Sequence, residues 1–96
     1  MKQVVLSAAE WRTPRDAHEA LAQALNFPAY YGHNLDALHD CLRDLDPTLL
    51  VIEHCAQCAE QLGPKWNGFI SVFLDVQEEN PRLEVRLVPG EGNYHS

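Results

Sequence analysis

Three apolar β-formers, Val4-Val5-Leu6, stand together between Gln3 and Ser7, the pattern of a short buried strand. Thr13 then precedes Pro14, an N-cap before a proline at the first helical position. Ala17, Leu21, Ala24 and Leu25 follow at helical spacing, which predicts a helix over 14–25. Phe27-Pro28 stops it, because proline disfavours a helical residue before it, and Gly32 allows a turn that other residues resist. Asn34 is placed to cap a second helix. On it Leu35, Leu38, Leu42 and Leu45 form one stripe and Asp36, Asp40 and Asp44 another, with Asp46-Pro47 as its end.

Leu49-Leu50-Val51-Ile52 reads as a second strand buried on both faces, and 55–62 as a short helix. After Pro64, Trp66, Phe69, Ile70, Phe73 and Val76 give one apolar helical face running to about Glu79, where Asn80-Pro81 punctuates the chain. Leu83, Val85 and Leu87 alternate with Glu84 and Arg86, predicting a half-exposed third strand closed by Pro89-Gly90. Residues 90–96 are expected to be a loose tail. Strands separated by helices imply an α/β fold with a parallel sheet and helices as its covering layers. Ninety-six residues suit a single domain over 1–96.

Charge narrows the function. Fourteen acidic residues face seven Lys or Arg, a net charge of −7 without a basic cluster, which argues against direct nucleic-acid binding and for a basic protein partner. The field of such a surface raises the association rate with a cationic partner. The N-terminus lacks the apolar core of a secretory signal and no segment is long enough to span a membrane, so a cytoplasmic protein is expected. Three cysteines, Cys41, Cys55 and Cys58, are an odd number that does not suit a disulfide framework, and they are expected to be reduced.

The aspartate stripe is the main candidate for function. Like charges four apart cost a few tenths of a kcal/mol per pair, and Arg43 neutralises only part of the stripe, so compensation from outside is expected. The plain alternative is a solvated helix face. Of the tyrosines, Tyr31 is expected in the core and Tyr30 at a contact. Cys55-Ala56-Gln57-Cys58 supplies only two thiolates of a four-ligand zinc site, and a redox pair would want a fuller thioredoxin-like setting. His39 and Asp40 could pair as acid and base, but adjacent helical residues point about 100° apart. With no phosphate loop or nucleophile elbow, neither catalysis nor a cofactor or metal is expected.

Phe27-Pro28-Ala29-Tyr30-Tyr31-Gly32-His33-Asn34-Leu35-Asp36-Ala37-Leu38, followed by Asp40-Cys41-Leu42, resembles the signature of the barstar family, intracellular inhibitors of guanyl-specific, barnase-like ribonucleases. The first strand, His18, Glu53 and Ser71-Val72-Phe73 extend the resemblance over nearly the whole chain. It implies a three-stranded parallel sheet packed against three to four α-helices. It also implies an inhibitor that inserts its second helix and the preceding loop into the ribonuclease active site, forming a one-to-one complex. On this reading Asp40 stands in for an RNA phosphate among the enzyme's cations, and Asp36 pairs with a second cation. Tyr30 packs on the catalytic side, while Gly32, Asn34 and Leu35 shape the contact. His39, Asp44 and Asp75 complete the expected binding residues.

Against the family, His39 stands in place of a tryptophan and Leu45 in place of another aromatic. Arg43 adds a positive charge, and Asp75 is one methylene shorter than its counterpart. The expected partner is therefore a basic extracellular-type ribonuclease or toxin domain, barnase being one case. The alternative is an immunity or regulatory protein of the same fold with a basic partner that is not a ribonuclease. If the contact needs His39 neutral, affinity falls on acidification, since a free imidazole titrates near pH 6.5.

Overall fold

A computed structural model describes residues 2–90. The elements run β1 (Lys2–Ser7), α1 (Pro14–Leu25), α2 (Leu35–Arg43), β2 (Thr48–Glu53), α3 (Cys55–Leu62), α4 (Lys65–Glu79) and β3 (Leu83–Leu87). The strands form one parallel sheet in the order β1-β2-β3, with Val4 opposite Leu50 and Leu50 opposite Val85. This is the α/β architecture expected from strands separated by helices, with four helices among the described residues. Among the described residues no helix is long and apolar enough to cross a membrane.

Local signals account for most boundaries. At α1, the Thr13 hydroxyl accepts from the Asp16 N–H while the Asp16 carboxylate accepts from the Thr13 N–H, a reciprocal cap that satisfies otherwise unpaired donors. The helix stops one residue before Phe27-Pro28, at Asn26, whose left-handed backbone (φ 60°) returns its N–H to Ala22. Helix α2 ends at Arg43, three residues before the expected Asp46-Pro47 stop. The first N–H groups of α3 are capped from a distance: Val88 and Pro89 carbonyls accept from Cys55 and Ala56, and that of Gly90 from His54. Of the expected tail, Gly90 is thus held and 91–96 lie outside the described residues.

The core lies on one side of the sheet. Leu50, Ile52 and Leu83 are buried there, with Val4, Leu6, Val85 and Leu87 packed against the same cluster. Leu21 of α1, Leu38 and Leu42 of α2, Cys58 of α3 and Trp66, Phe69 and Phe73 of α4 fill it. The opposite face, with Gln3, Val5, Leu49, Val51 and Arg86, forms an open groove of about 400 Å³. This corrects the expectation for β1: it is an edge strand, and Val5 is 51% exposed. Its three apolar residues resemble a buried strand, but alternate side chains of a strand point to opposite faces, and the core lies on only one.

Asn80 locks α4 to α2. Its side-chain amide donates to the carbonyls of Leu42 (3.1 Å) and Leu45 (3.2 Å), and its Oδ1 accepts from the Arg82 N–H at 3.1 Å. The residue is buried, so these groups have little access to water. Replacing it orphans buried partners, at a cost of about 1–3 kcal/mol. Asn80→Ala is accordingly expected to lower the urea midpoint by an amount in that range without changing the m-value, measured by circular dichroism.

Candidate functional site

The site begins with the loop between α1 and α2. Tyr31 turns inward and is 6% exposed, as expected of a core residue, while its neighbour Tyr30 is 88% exposed. The Tyr31 phenol lies 2.6 Å from Nδ1 of His18, itself buried on α1. Burial holds the His18 pKa below its ordinary value, with nearby His33 adding to the effect, and burial holds the Tyr31 phenol well above its own. The phenol therefore keeps its proton and the imidazole stays neutral, so the bond joins two uncharged groups. The rings of Phe27 and His33 flank Tyr31 at 5.0 and 5.2 Å, and Phe69 of α4 lies 4.8 Å from His18.

In the turn that enters α2 the left-handed residue is His33 (φ 51°), not Gly32 as expected from glycine's permissiveness. Its Nδ1–H donates to the Tyr31 carbonyl at 3.1 Å, which offsets part of the strain. Gly32 has a different task. A Cβ there would lie 2.9 Å from the Asn34 amide nitrogen, which donates to the Gly32 carbonyl at 3.1 Å. Asn34 Oδ1 accepts from Ala37 N–H at 2.8 Å, so one side chain both closes the loop and caps α2.

Helix α2 divides cleanly. Leu38 and Leu42 are fully buried, and Leu35 and Leu45 are half-buried against the core. Leu35 lies across Gly68 of α4, where a Cβ would come within 2.7 Å of its Cδ1. Asp36, Asp40 and Asp44 all face solvent. Arg43 reaches Asp40 at 3.4 Å and Asp44 at 3.8 Å. Between the 26–30 loop and α2 runs a groove of about 320 Å³, walled by Phe27, Pro28 and Leu45 and edged by Tyr30, Asp40 and Asp44. An apolar channel with carboxylates at its edge suits a long cationic side chain, whose stem can pack while its head pairs.

Helix α4 adds to this face. His39 Nε2 lies 2.8 Å from the Glu79 carboxylate, and its Nδ1 3.8 Å from Asp40. Asp75, also exposed, is one helical turn before Glu79 on the same side of α4. Glu79 is the acidic residue that sequence reasoning missed. Its four-residue spacing from Asp75 was the available signal, but its contact with His39, forty positions away, was not.

Cys41 of α2 lines the groove beside Tyr30, but the other two cysteines lie elsewhere. Cys55 and Cys58 are buried, Cys55 Sγ–H donates to the Ile52 carbonyl at 3.2 Å, and burial pushes both thiols up to about 11. Both are thiols at neutral pH, so neither is a ready nucleophile.

Residues 1–89 match the family described as "Barstar (barnase inhibitor)". The chain is also similar to a Bacillus subtilis (strain 168) protein named "Putative ribonuclease inhibitor YrdF". The two are 34% identical over 82 residues, which covers 82% of this chain and 89% of that protein.

Two predictions follow from the loop. Tyr31→Ala is expected to cost about 3–5 kcal/mol of stability, as for other large buried aromatics, while Tyr30→Ala changes it by less than about 0.5 kcal/mol. Urea denaturation of both variants checks this. The second concerns pH. Because the native His18 pKa is lowered, its contribution is complete above 6.5 and is lost as pH falls through that value, where the unfolded chain takes a proton the native chain resists. The loss levels off below the native pKa. His18→Gln is expected to show a shallower fall in stability than the parent between about pH 7.5 and 5, a range spanning an ordinary imidazole pKa.

Proposed function

The chain belongs to the barstar family, and from that premise we propose that it inhibits a barnase-like, guanyl-specific ribonuclease by occupying the active site with α2 and the loop before it. The observation that carries the reading is the division of α2, whose leucines are buried while Asp36, Asp40 and Asp44 stand together in solvent. A ribonuclease must gather cations where it holds the phosphates of RNA. A rigid row of carboxylates offers those cations the same charge, without a bond to cleave.

In this reading Asp40 takes the place of a phosphate at the centre, and Asp36, in the first turn of α2, takes a second cation. Tyr30, with almost its whole ring free, covers one wall of the enzyme's cleft. Gly32 and Asn34 hold the loop at the height Tyr30 needs, and Leu35 fixes α2 against Gly68. His39, Asp44 and Asp75 form the margin, to which Glu79 is added. His39 lies between Glu79 and Asp40 and so joins the two helices at this margin. The partner is a basic ribonuclease of the extracellular type, or a toxin domain of similar charge, bound one to one. The inhibitor itself is a single domain acting in the cytoplasm without catalysing a reaction.

The test is titration into barnase while RNA cleavage is followed. Stoichiometric loss of cleavage is expected with the parent chain. An Asp36→Ala/Asp40→Ala variant that folds normally is expected to lose affinity by at least about two orders of magnitude, as for two desolvated charge pairs. Equal inhibition by parent and variant would reject phosphate mimicry. No inhibition by the parent would direct attention to a basic partner other than this enzyme class.

A further inference from the structure

The three carboxylates of α2 are not equally available. Arg43 Nη2 lies 3.4 Å from Asp40 Oδ1, and its Nε lies 3.8 Å from Asp44 Oδ1, so one guanidinium bridges two members of the row. Asp36 takes no part in this bridge. Both distances exceed the roughly 2.7–2.9 Å of a tight charge-assisted hydrogen bond. The side chains are largely in solvent, with 45% of Arg43 and 78% of Asp44 exposed, where water and salt screen the attraction. Arg43 is also the last residue of α2, where the helix terminus itself favours a cation. The bridge therefore lowers the charge offered at Asp40 and Asp44 and is loose enough to be displaced.

The displaced group has a place to go. Arg43 also lines a polar cleft of about 370 Å³, together with Asp44, Glu79 and Arg82. The Tyr30 groove is lined by Asp40 and Asp44 but not by Arg43. The guanidinium can thus swing from Asp40 toward Glu79 without obstructing a side chain that enters from the groove.

We infer that Arg43 is a specificity-determining residue, a built-in counter-ion that a partner's cations must displace from Asp40 and Asp44. The inference rests on the reading of this face as the site for a basic ribonuclease. A surface with one isolated cation gains little, because the position is already partly neutralised. A surface that presents several cations at the row replaces the bridge with more and better pairs. Arg43 therefore selects for densely cationic clefts.

Two probes test this separately from the identity of the partner. Binding of Arg43→Gln, Arg43→Lys and the parent chain is measured against barnase by inhibition, and against a hexa-arginine peptide by calorimetry. Arg43→Gln is expected to bind both probes about two- to tenfold more tightly at low salt, the size of one or two exposed ion pairs. Arg43→Lys, which keeps the charge, should stay near the parent. The gain should vanish above about 0.5 M salt, where screening acts over a few ångströms. Equal or weaker binding of the peptide by Arg43→Gln, or no measurable peptide binding, overturns the inference. Weaker inhibition of barnase by Arg43→Gln also overturns it, since Arg43 would then be a direct contact. Tighter peptide binding without inhibition of barnase by any variant upholds the counter-ion and rejects barnase-like ribonucleases as its target.

Discussion

The hydrogen bond between Tyr31 and His18 is the constraint on which the exposed face depends. A loop between two helices has no ladder to hold it, and this one is fixed by sending one aromatic side chain inward. Tyr31 joins the loop to α1 through His18, and the same imidazole rests on Phe69 of α4. Neither group can change charge easily while buried, so the bond is a neutral one in a water-poor setting, where an unpaired polar group costs most. With Tyr31 fixed inward, its neighbour Tyr30 projects outward, and Asn34 closes the loop and caps α2.

Helix α2 shows how a charged surface is carried without self-defeat. Repulsion along the aspartate row costs a few tenths of a kcal/mol per pair, while burying Leu38 and Leu42 contributes on the order of 1.5–3 kcal/mol each. Packing wins by a wide margin. The helix is also held at both ends by asparagine side chains: Asn34 at the start, and Asn80 from α4 at the carbonyls of Leu42 and Leu45. A rigid support keeps the carboxylates in place before any partner arrives, so little ordering remains to be done on association.

What could be read from the residues alone was what short-range chemistry decides. Thr13-Pro14 and Asn34 start their helices where expected, and the 3.6-residue period separates the leucines of α2 from its aspartates without any knowledge of the fold. The exposure of Val5 could not be read this way, because it depends on β1 lying at a sheet edge. The link from His39 to Glu79 joins residues forty apart and exists only because α2 and α4 lie side by side. Gly32 misled for a different reason. Glycine is a sign of unusual backbone, but here the unusual backbone falls on His33, and Gly32 serves to leave space for a side chain. The role of Asn80 was also hidden, since an asparagine before a proline reads as a turn.

The carbonyls of residues 88–90 at the start of α3 also bear on how the chain is made. Synthesis runs from the N-terminus, so α3 is complete in sequence well before the groups that cap it exist. At about 5–20 residues per second, its first N–H groups and the β3 side of β2 stay unpaired on the ribosome for on the order of a few seconds. During that time the nascent chain presents an open strand edge beside a frayed helix, a state prone to pairing with neighbouring chains. The short stretch after β3 thus acts as a clasp, and a truncation just before Val88 would keep the β2–β3 pairing but leave the first N–H groups of α3 permanently uncapped.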